Sequence, residues 1–388
     1  MKIAIFSDTF FPQVNGVANT AYRTAIALCA RGHNVRVFTV SRKHLKNISE
    51  TSYSKKLDIK SVFSIPFWGY PDERLTLPLG FTLRSVYVFR PDIIHAHTPF
   101  ALGWEAVLAS KLFSIPIIGT HHTFFDHYLK HVWLDFDWAK RFSWRFVSLY
   151  YNRCSLVLGP SRAVLDDIRN HKLITPTRIM ANSIDTTLFS PVVSEKEKKK
   201  QKALLGITGD SVVYMGRLSY EKDINQLIDA LVILKEIKKF VTLMLIGDGP
   251  ERKKIEKYAR ERGVTEKVLF TGFLYGKNLV RALQSNEIFL TASKSENMPL
   301  SVLEGMSVGL PVVGVRSLGI PEIVKDNVNG YVVTPDSPRE MAEKVRVILA
   351  DKKLLSMLSS GARESALTYS EENVIKKLED IYHEVINK

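Results

Sequence analysis

The chain has 388 residues, 45% hydrophobic and 24% charged, with a formal net charge of +14; this is too long for one core, and two domains of about 190 residues each are expected. Its two cysteines, Cys29 and Cys154, exclude a disulfide framework or a thiolate metal site and read as small core residues. No apolar run reaches the length of a membrane span, and the patch after Lys2 stops at Ser7-Asp8, too short for a signal peptide, so a cytoplasmic protein is expected.

Short β-rich apolar runs alternate with helical stretches, which implies parallel sheets. The first half places strands at Ile3–Phe6, Val35–Val40, Ile93–Ala96, Pro116–Gly119 and Leu156–Leu158. A charged, turn-like stretch at Ser190–Lys202 interrupts the pattern. It restarts near Ser211–Met215, Leu243–Ile246, Val268–Thr271, Ile288–Thr291 and Pro311–Gly314. The expectation is two doubly wound α/β domains, residues 1–190 and 203–370, with a linker at 191–202 and a C-terminal helix at 371–388 packing back towards the first domain.

Ligands of such sheets bind beyond the carboxyl ends of the strands. After the first strand, Asn15-Gly16 sits where a helix begins and runs to about Arg31; a Gly there lets a phosphate approach, and Asn-Gly is equally a plain turn signal. His95, His97, His121 and His122 fall at two later strand ends. No Glu or Cys stands at the usual helical ligand spacing beside them, and an imidazole there could donate a hydrogen bond at neutral pH. In the second half, Arg217 and Lys222 flank a turn and form a candidate diphosphate clamp, or else a solvated loop with Glu221 as local partner. Gly247-Asp248-Gly249-Pro250 is a generic turn.

The most telling run is Ser295-Glu296-Asn297-Met298-Pro299-Leu300 through Glu304 to Met306. Pro299 suits a first helical position, and Gly309 with Pro311 supplies a stop, so a helix over Pro299–Val308 is expected. Glu296 then precedes the helix and Glu304 lies more than a turn inside it, with free backbone N–H groups between them. Carboxylates grip vicinal diols and helix N-termini hold anions, which suits a nucleotide sugar. The other reading is one Glu favouring the helix dipole and one solvated Glu.

Taken in order, these stretches resemble the retaining GT-B glycosyltransferases of family 4 over nearly the whole chain. The matching residues are Asn15-Gly16-Val17, Asp92–His97, Gly119–Thr123, Asn182–Asp185, Gly216-Arg217-Leu218 with Glu221-Lys222, Gly247–Pro250, and Glu296–Glu304 followed by Gly309–Val313. The resemblance implies two Rossmann-like doubly wound domains facing an interdomain cleft, and a donor of UDP-glucose or GDP-mannose type. It implies that Glu304 binds the ribose, Glu296 approaches the sugar hydroxyls, Arg217 and Lys222 hold the diphosphate, Gly16 offers its N–H to phosphate and His122 contacts the sugar near the reacting carbon. Asn297, Met298, Leu300 and Gly249 complete the donor set. Two departures stand out: Asn297-Met298-Pro299 replaces the usual Gly-Phe-Gly, and Asn182-Ser183-Ile184-Asp185 replaces Asn-Gly-Val-Asp. Two cations at the leaving diphosphate make a metal unnecessary, and no cofactor is expected.

For the acceptor, the stretches Gly119–His131 and Phe67–Leu75 resemble glycolipid-forming members such as diacylglycerol glucosyltransferases and phosphatidylinositol mannosyltransferases. Residues 1–190 hold 23 Lys and Arg against 13 Asp and Glu, and all five Trp. Within them, Ser41–Lys60 carries Lys43, Lys46, Lys55 and Lys56, so an anionic membrane surface is a candidate partner, with Trp68 and Tyr128 beside it. Ordinary solvation explains the same charges. Trp138, Phe142, Phe146 and Leu149 form an amphipathic stripe, read here as core packing on the sheet. The expectation is a hexose transfer to a lipid on the inner face of the cell membrane. The alternatives are a soluble or polysaccharide acceptor, or a nucleotide-sugar epimerase on the same fold. Nucleic acid is not expected, since aromatic RNA-binding motifs are absent, and oligomeric state is left open.

Overall fold

A computed structural model describes residues 1–13, 15–40, 57–67, 70–122, 136–237 and 241–388. Contacts divide the chain into two units, Met1–Ser183 with Glu371–Lys388, and Ile184–Ser370.

The first unit is built on strands β1 (Lys2–Ser7), β2 (Asn34–Val40), β3 (Asp58–Val62), β6 (Ile93–Ala96), β7 (Ile117–Thr120), β8 (Leu156–Gly159) and β9 (Thr177–Ile179), with a separate antiparallel hairpin β4 (Ile65–Phe67) and β5 (Tyr70–Leu75). The sheet runs in the order β3-β2-β1-β6-β7-β8-β9, all parallel. Its central strands are near-continuous apolar runs because helices cover both faces. Strand order reverses between β1 and β6, so the loops after these strands open at the topological switch point.

The C-terminal helix Glu371–Ile386 belongs to this unit. Ile375, Leu378, Ile381 and Tyr382 join Ile3, Ile5, Leu28 and Val37 in one buried cluster. Glu379 accepts bonds from Arg31 and His33 at 2.7 Å each, and Arg178 pairs with Glu384 at 2.7 Å.

The second unit contains β10 (Asp210–Met215), β11 (Val241–Ile246), β12 (Val268–Gly272), β13 (Ile288–Thr291), β14 (Val312–Val315) and β15 (Gly330–Val333) in the order β12-β11-β10-β13-β14-β15. Its switch point lies between β10 and β13. The helices Ile224–Ile237 and Pro338–Ala350 supply much of the core beside these strands. Strands β3, β9 and β15, which the apolar runs did not locate, all lie at sheet edges, and β3 (Asp-Ile-Lys-Ser-Val) and β9 (Thr-Arg-Ile) are largely polar and partly exposed.

Residues 191–202, expected as a linker, instead lead into the helix Glu195–Leu204 of the second unit. The Ser194 hydroxyl caps it by accepting from the Glu197 N–H at 3.2 Å, and Lys198 and Lys202 pair with Glu287 at 3.2 and 2.6 Å. A lysine-rich run with one buried face residue, Gln201, has no apolar period to reveal it.

The stripe on the helix Asp137–Tyr151 is corrected in part: Phe146 packs against the core beside Trp104, and its other three members do not. Trp138 and Phe142 are 64% and 68% exposed and Leu149 is 49% exposed, whereas Trp144, Val147, Tyr150 and Tyr151 form the buried face. The helix is aromatic on both sides, so periodicity located a face without telling which one meets the sheet. Both cysteines are buried, and neither is in a disulfide. Among the described residues, no helix is long and apolar enough to cross a membrane.

Candidate functional site

In the second unit the candidate residues lie on the loops after β10 and β13. Arg217 follows β10 with its side chain exposed, and among the described residues no carboxylate pairs with it. Its carbonyl accepts the Tyr214 hydroxyl at 3.2 Å. Burial, with Glu296 and Glu221 nearby, pushes that phenol well above its usual range, so it stays a donor. A short turn of helix at Tyr220–Lys222 then aims Lys222 across to the loop after β13. Lys222 Nζ lies 2.6 Å from Glu296 Oε1, both side chains about one-fifth exposed. Glu221, offered by sequence as the local partner, accepts the Ser219 hydroxyl instead, at 2.5 Å.

The Glu296 loop is held by backbone and by a second charged group. Gly319 donates its N–H to the Glu296 carbonyl at 3.0 Å. A Cβ at Gly319 would lie 1.3 Å from the Asn297 carbonyl, so only glycine permits this crossing. Lys294 reaches Asp336 at 2.5 Å and Asp223 at 3.5 Å, while Gln226 donates to Asp223 at 2.5 Å and to Asp336 at 3.0 Å. This network ties the Lys222 turn to the Glu296 loop. Sequence reasoning missed Tyr214, Lys294, Asp336 and Gly319; only the alternation of Lys294 with Glu296 hinted at a charged loop.

The helix after Glu296 spans Leu300–Ser307, with Pro299 in extended conformation at its cap. It is a little shorter than expected, since the proline already supplies the carbonyl that Val302 and Leu303 bond. Glu304 is buried at 8% exposure, a full turn inside, so the reading of it as a solvated Glu is overturned. Gly305 lies so close to Phe289 that a Cβ would meet the ring at 2.5 Å. Asn297 and Leu300 are partly exposed, but Met298 is buried. Gly249 has a packing role: a Cβ would lie 2.3 Å from the Leu218 carbonyl, where this turn meets the Arg217 loop.

In the first unit, Asn15 caps the helix Gly16–Ala30 by accepting from the Ala18 N–H at 2.8 Å. Gly16 is exposed, and an added Cβ would meet nothing within 4 Å. Its own packing therefore gives no reason for glycine there. Asp8, unremarked in sequence, accepts the Thr98 hydroxyl at 2.5 Å and the Leu102 N–H at 3.1 Å, joining the ends of β1 and β6 to the next helix.

The histidines pack on one another. His95, His97 and His121 are buried and His122 is partly exposed. Desolvation pushes His95 and His121 down to about 3 and His122 to about 4, and lowers His97 well below its ordinary value. All four are neutral at pH 7. Among the described residues no group of His, Cys, Asp and Glu is arranged to hold a metal ion. Lys43, Lys46, Lys55, Lys56, Trp68 and Tyr128 lie outside the described residues.

Comparison with known proteins agrees with this architecture. Residues 14–188 match the model of Glycosyltransferase Family 4, and residues 195–365 match that of Glycosyl transferases group 1. An alpha-monoglucosyldiacylglycerol synthase of Streptococcus pneumoniae is 28% identical over 85% of this chain and 74% of its own. A GDP-mannose-dependent alpha-mannosyltransferase of Corynebacterium glutamicum is 26% identical over 100% of this chain and 89% of its own. The crystal structure of Anabaena HepE in complex with UDP has the same fold, with a TM-score of 0.81 at 20% identity over 99% of this chain and 100% of that one. The chain thus belongs to the family 4-like GT-B glycosyltransferases, its first half a Glycosyltransferase Family 4 domain and its second a Glycosyl transferases group 1 domain.

Proposed function

We propose that this glycosyltransferase moves a hexose, with retention, from a nucleotide diphosphate sugar to a lipid acceptor at a membrane surface. The observation that carries the donor reading is the Lys222–Glu296 pair across the β10/β13 switch point, with Arg217 exposed beside it. In this reading Arg217 and Lys222 stabilise the charge that develops on the departing diphosphate, so no divalent ion is required. Glu296 then grips the sugar hydroxyls and Glu304 the ribose. Gly16 offers its N–H to phosphate, and its bare surface supports that assignment. His122 is assigned to the sugar near the reacting carbon. Retention proceeds on one face, the leaving phosphate taking the acceptor's proton.

The lipid acceptor is supported by two relatives named as alpha-monoglucosyldiacylglycerol synthases and by the surface of the first unit. Phe63, Ile65, Leu75, Leu77 and Leu79 are each more than half exposed around the β4–β5 hairpin, and Trp138 and Phe142 project beside the exposed Arg141 and Arg145. Apolar side chains with flanking cations suit an anionic leaflet.

The test is a panel of UDP- and GDP-sugars against diacylglycerol and phosphatidylinositol, read by mass spectrometry. Glycolipid product is expected with one donor. Conversion of donor without acceptor would mean an epimerase, and product only with water-soluble acceptors would remove the lipid assignment.

A further inference from the structure

His97 and His122 lie with rings nearly parallel, 13° apart and 5.3 Å between centroids, and His97 Nδ1 is 3.1 Å from His122 Nε2. Two neutral imidazole nitrogens at that distance share one hydrogen: one ring donates and the other accepts. Desolvation keeps both rings neutral at pH 7. The remaining nitrogen of His97, Nε2, is buried without a hydrogen-bond partner among the described residues. If His122 were the donor, His97 would carry its own proton there as an orphaned buried N–H, the rarer kind of unpaired group. With His97 as donor, Nε2 is a bare lone pair.

The His97 ring is itself held in place. It packs on His95 with centroids 4.3 Å apart, and His95 is pinned between the Tyr382 hydroxyl and the Thr120 hydroxyl, 2.6 Å from each. The His97 backbone N–H donates to the Phe6 carbonyl at 2.8 Å. Turning this ring away from His122 would break a packed column that runs back to the C-terminal helix.

We infer that His97 is a positioning residue whose Nδ1–H donates to His122 Nε2, fixing His122 as the tautomer protonated on Nδ1. Whatever His122 Nδ1 meets, it meets as a donor. The consequence for turnover rests on the proposed function: His122 approaches the sugar as a neutral N–H donor that fixes an oxygen, and it does not serve as a general base. This is the opposite of the tautomer that free imidazole side chains favour in water, which makes it measurable.

The experiment is nitrogen-15 NMR of the full chain labelled on its histidine rings, with His122→Asn used to assign the resonances. His122 is expected to show an unprotonated Nε2 and a protonated Nδ1. His97→Phe keeps an aromatic ring without the donor; it should return His122 to the Nε2–H form and cut kcat about ten-fold or more with donor KM nearly unchanged, as expected for loss of one oriented hydrogen bond. His97→Asn restores an N–H near the Nδ1 position and should recover kcat to within about three-fold. An Nε2–H tautomer for His122 in the unmodified protein overturns the inference, and so does a His97→Phe variant that retains the Nδ1–H tautomer. If His97→Phe fails to fold, the spectrum of the unmodified protein still decides. Should the tautomer be as stated while His122→Ala leaves turnover intact, His97 still positions His122 and it is the catalytic assignment of His122 that falls.

Discussion

Lys222 and Glu296 are 74 positions apart in sequence and 2.6 Å apart in space. Removing either partner leaves the other charge half-buried and alone, which is worse than never having had the pair. Arg217→Ala and Lys222→Ala are each expected to lower kcat by about 10²–10³, the range for one electrostatic donor at a developing charge, with Tm nearly unchanged for the exposed Arg217; steady-state kinetics checks this, and near-normal turnover would remove them from the diphosphate site. The histidines give a pH signature. Their folded-state values lie below the ordinary 6.5, His122 at about 4 and His95 and His121 at about 3, so the unfolded chain binds more protons below pH 6.5. Stability is therefore full above about pH 6.5 and falls as pH drops towards 4, by up to about 1.4 kcal/mol per pH unit for each histidine in that window. Thermal melts from pH 7.5 to 4.5 should show the fall, and His95→Gln should flatten it; an identical slope in that variant would count against buried neutral imidazoles as its source. Of these residues, Glu296, Arg217 and Lys222 could be singled out in the sequence because charge beyond a strand end is conspicuous, and Glu304 because it follows Glu296 by eight positions across a helix start. Tyr214 could not be, since it reads as one more apolar residue of a buried strand, nor could Asp336, whose partners Lys294 and Gln226 lie 42 and 110 residues away.

At the scale of elements, the helix Leu300–Ser307 shows how tightly the donor loop is built. The Phe289 ring presses on Gly305, so Gly305→Ala is expected to cost about 1–3 kcal/mol by overpacking and to displace Glu304 with it. Denaturant melts read the first effect and donor KM the second. The helix Asp137–Tyr151 teaches a different lesson. Its apolar period was visible, yet Trp138 and Phe142 turned out to face solvent and Trp144 and Tyr150 the sheet. A helix with aromatic residues all round gives no sequence cue to the buried side; the packing of Tyr150 and Tyr151 against the helix Ala101–Phe113 and β7 decides it. Trp138→Ser with Phe142→Ser should leave Tm unchanged and weaken flotation with vesicles containing anionic lipid. Unchanged flotation would take this face out of any membrane contact.

Across the whole molecule, the C-terminal helix Glu371–Ile386 brings the end of the chain into the first unit. Truncation after Ser370 would strip Ile375, Leu378, Ile381, Tyr382 and Val385 from that core together with the Glu379 ion pairs. Deleting so many buried side chains costs far more than typical domain stability, so the truncated chain is expected to lose the melting transition of the first unit. A transition retained at its original temperature in calorimetry would contradict this.

The sequence by itself determined the class of fold, the two parallel sheets and the charged residues at the strand ends, because strand periodicity, strand-to-helix alternation and isolated charges are local properties. Tertiary structure alone decided which charges pair, which face of the Asp137–Tyr151 helix is buried, and that Lys198 and Lys202 anchor a helix to Glu287 where a linker was expected. Each of these depends on contacts between segments tens to hundreds of residues apart, whose energies no local pattern encodes.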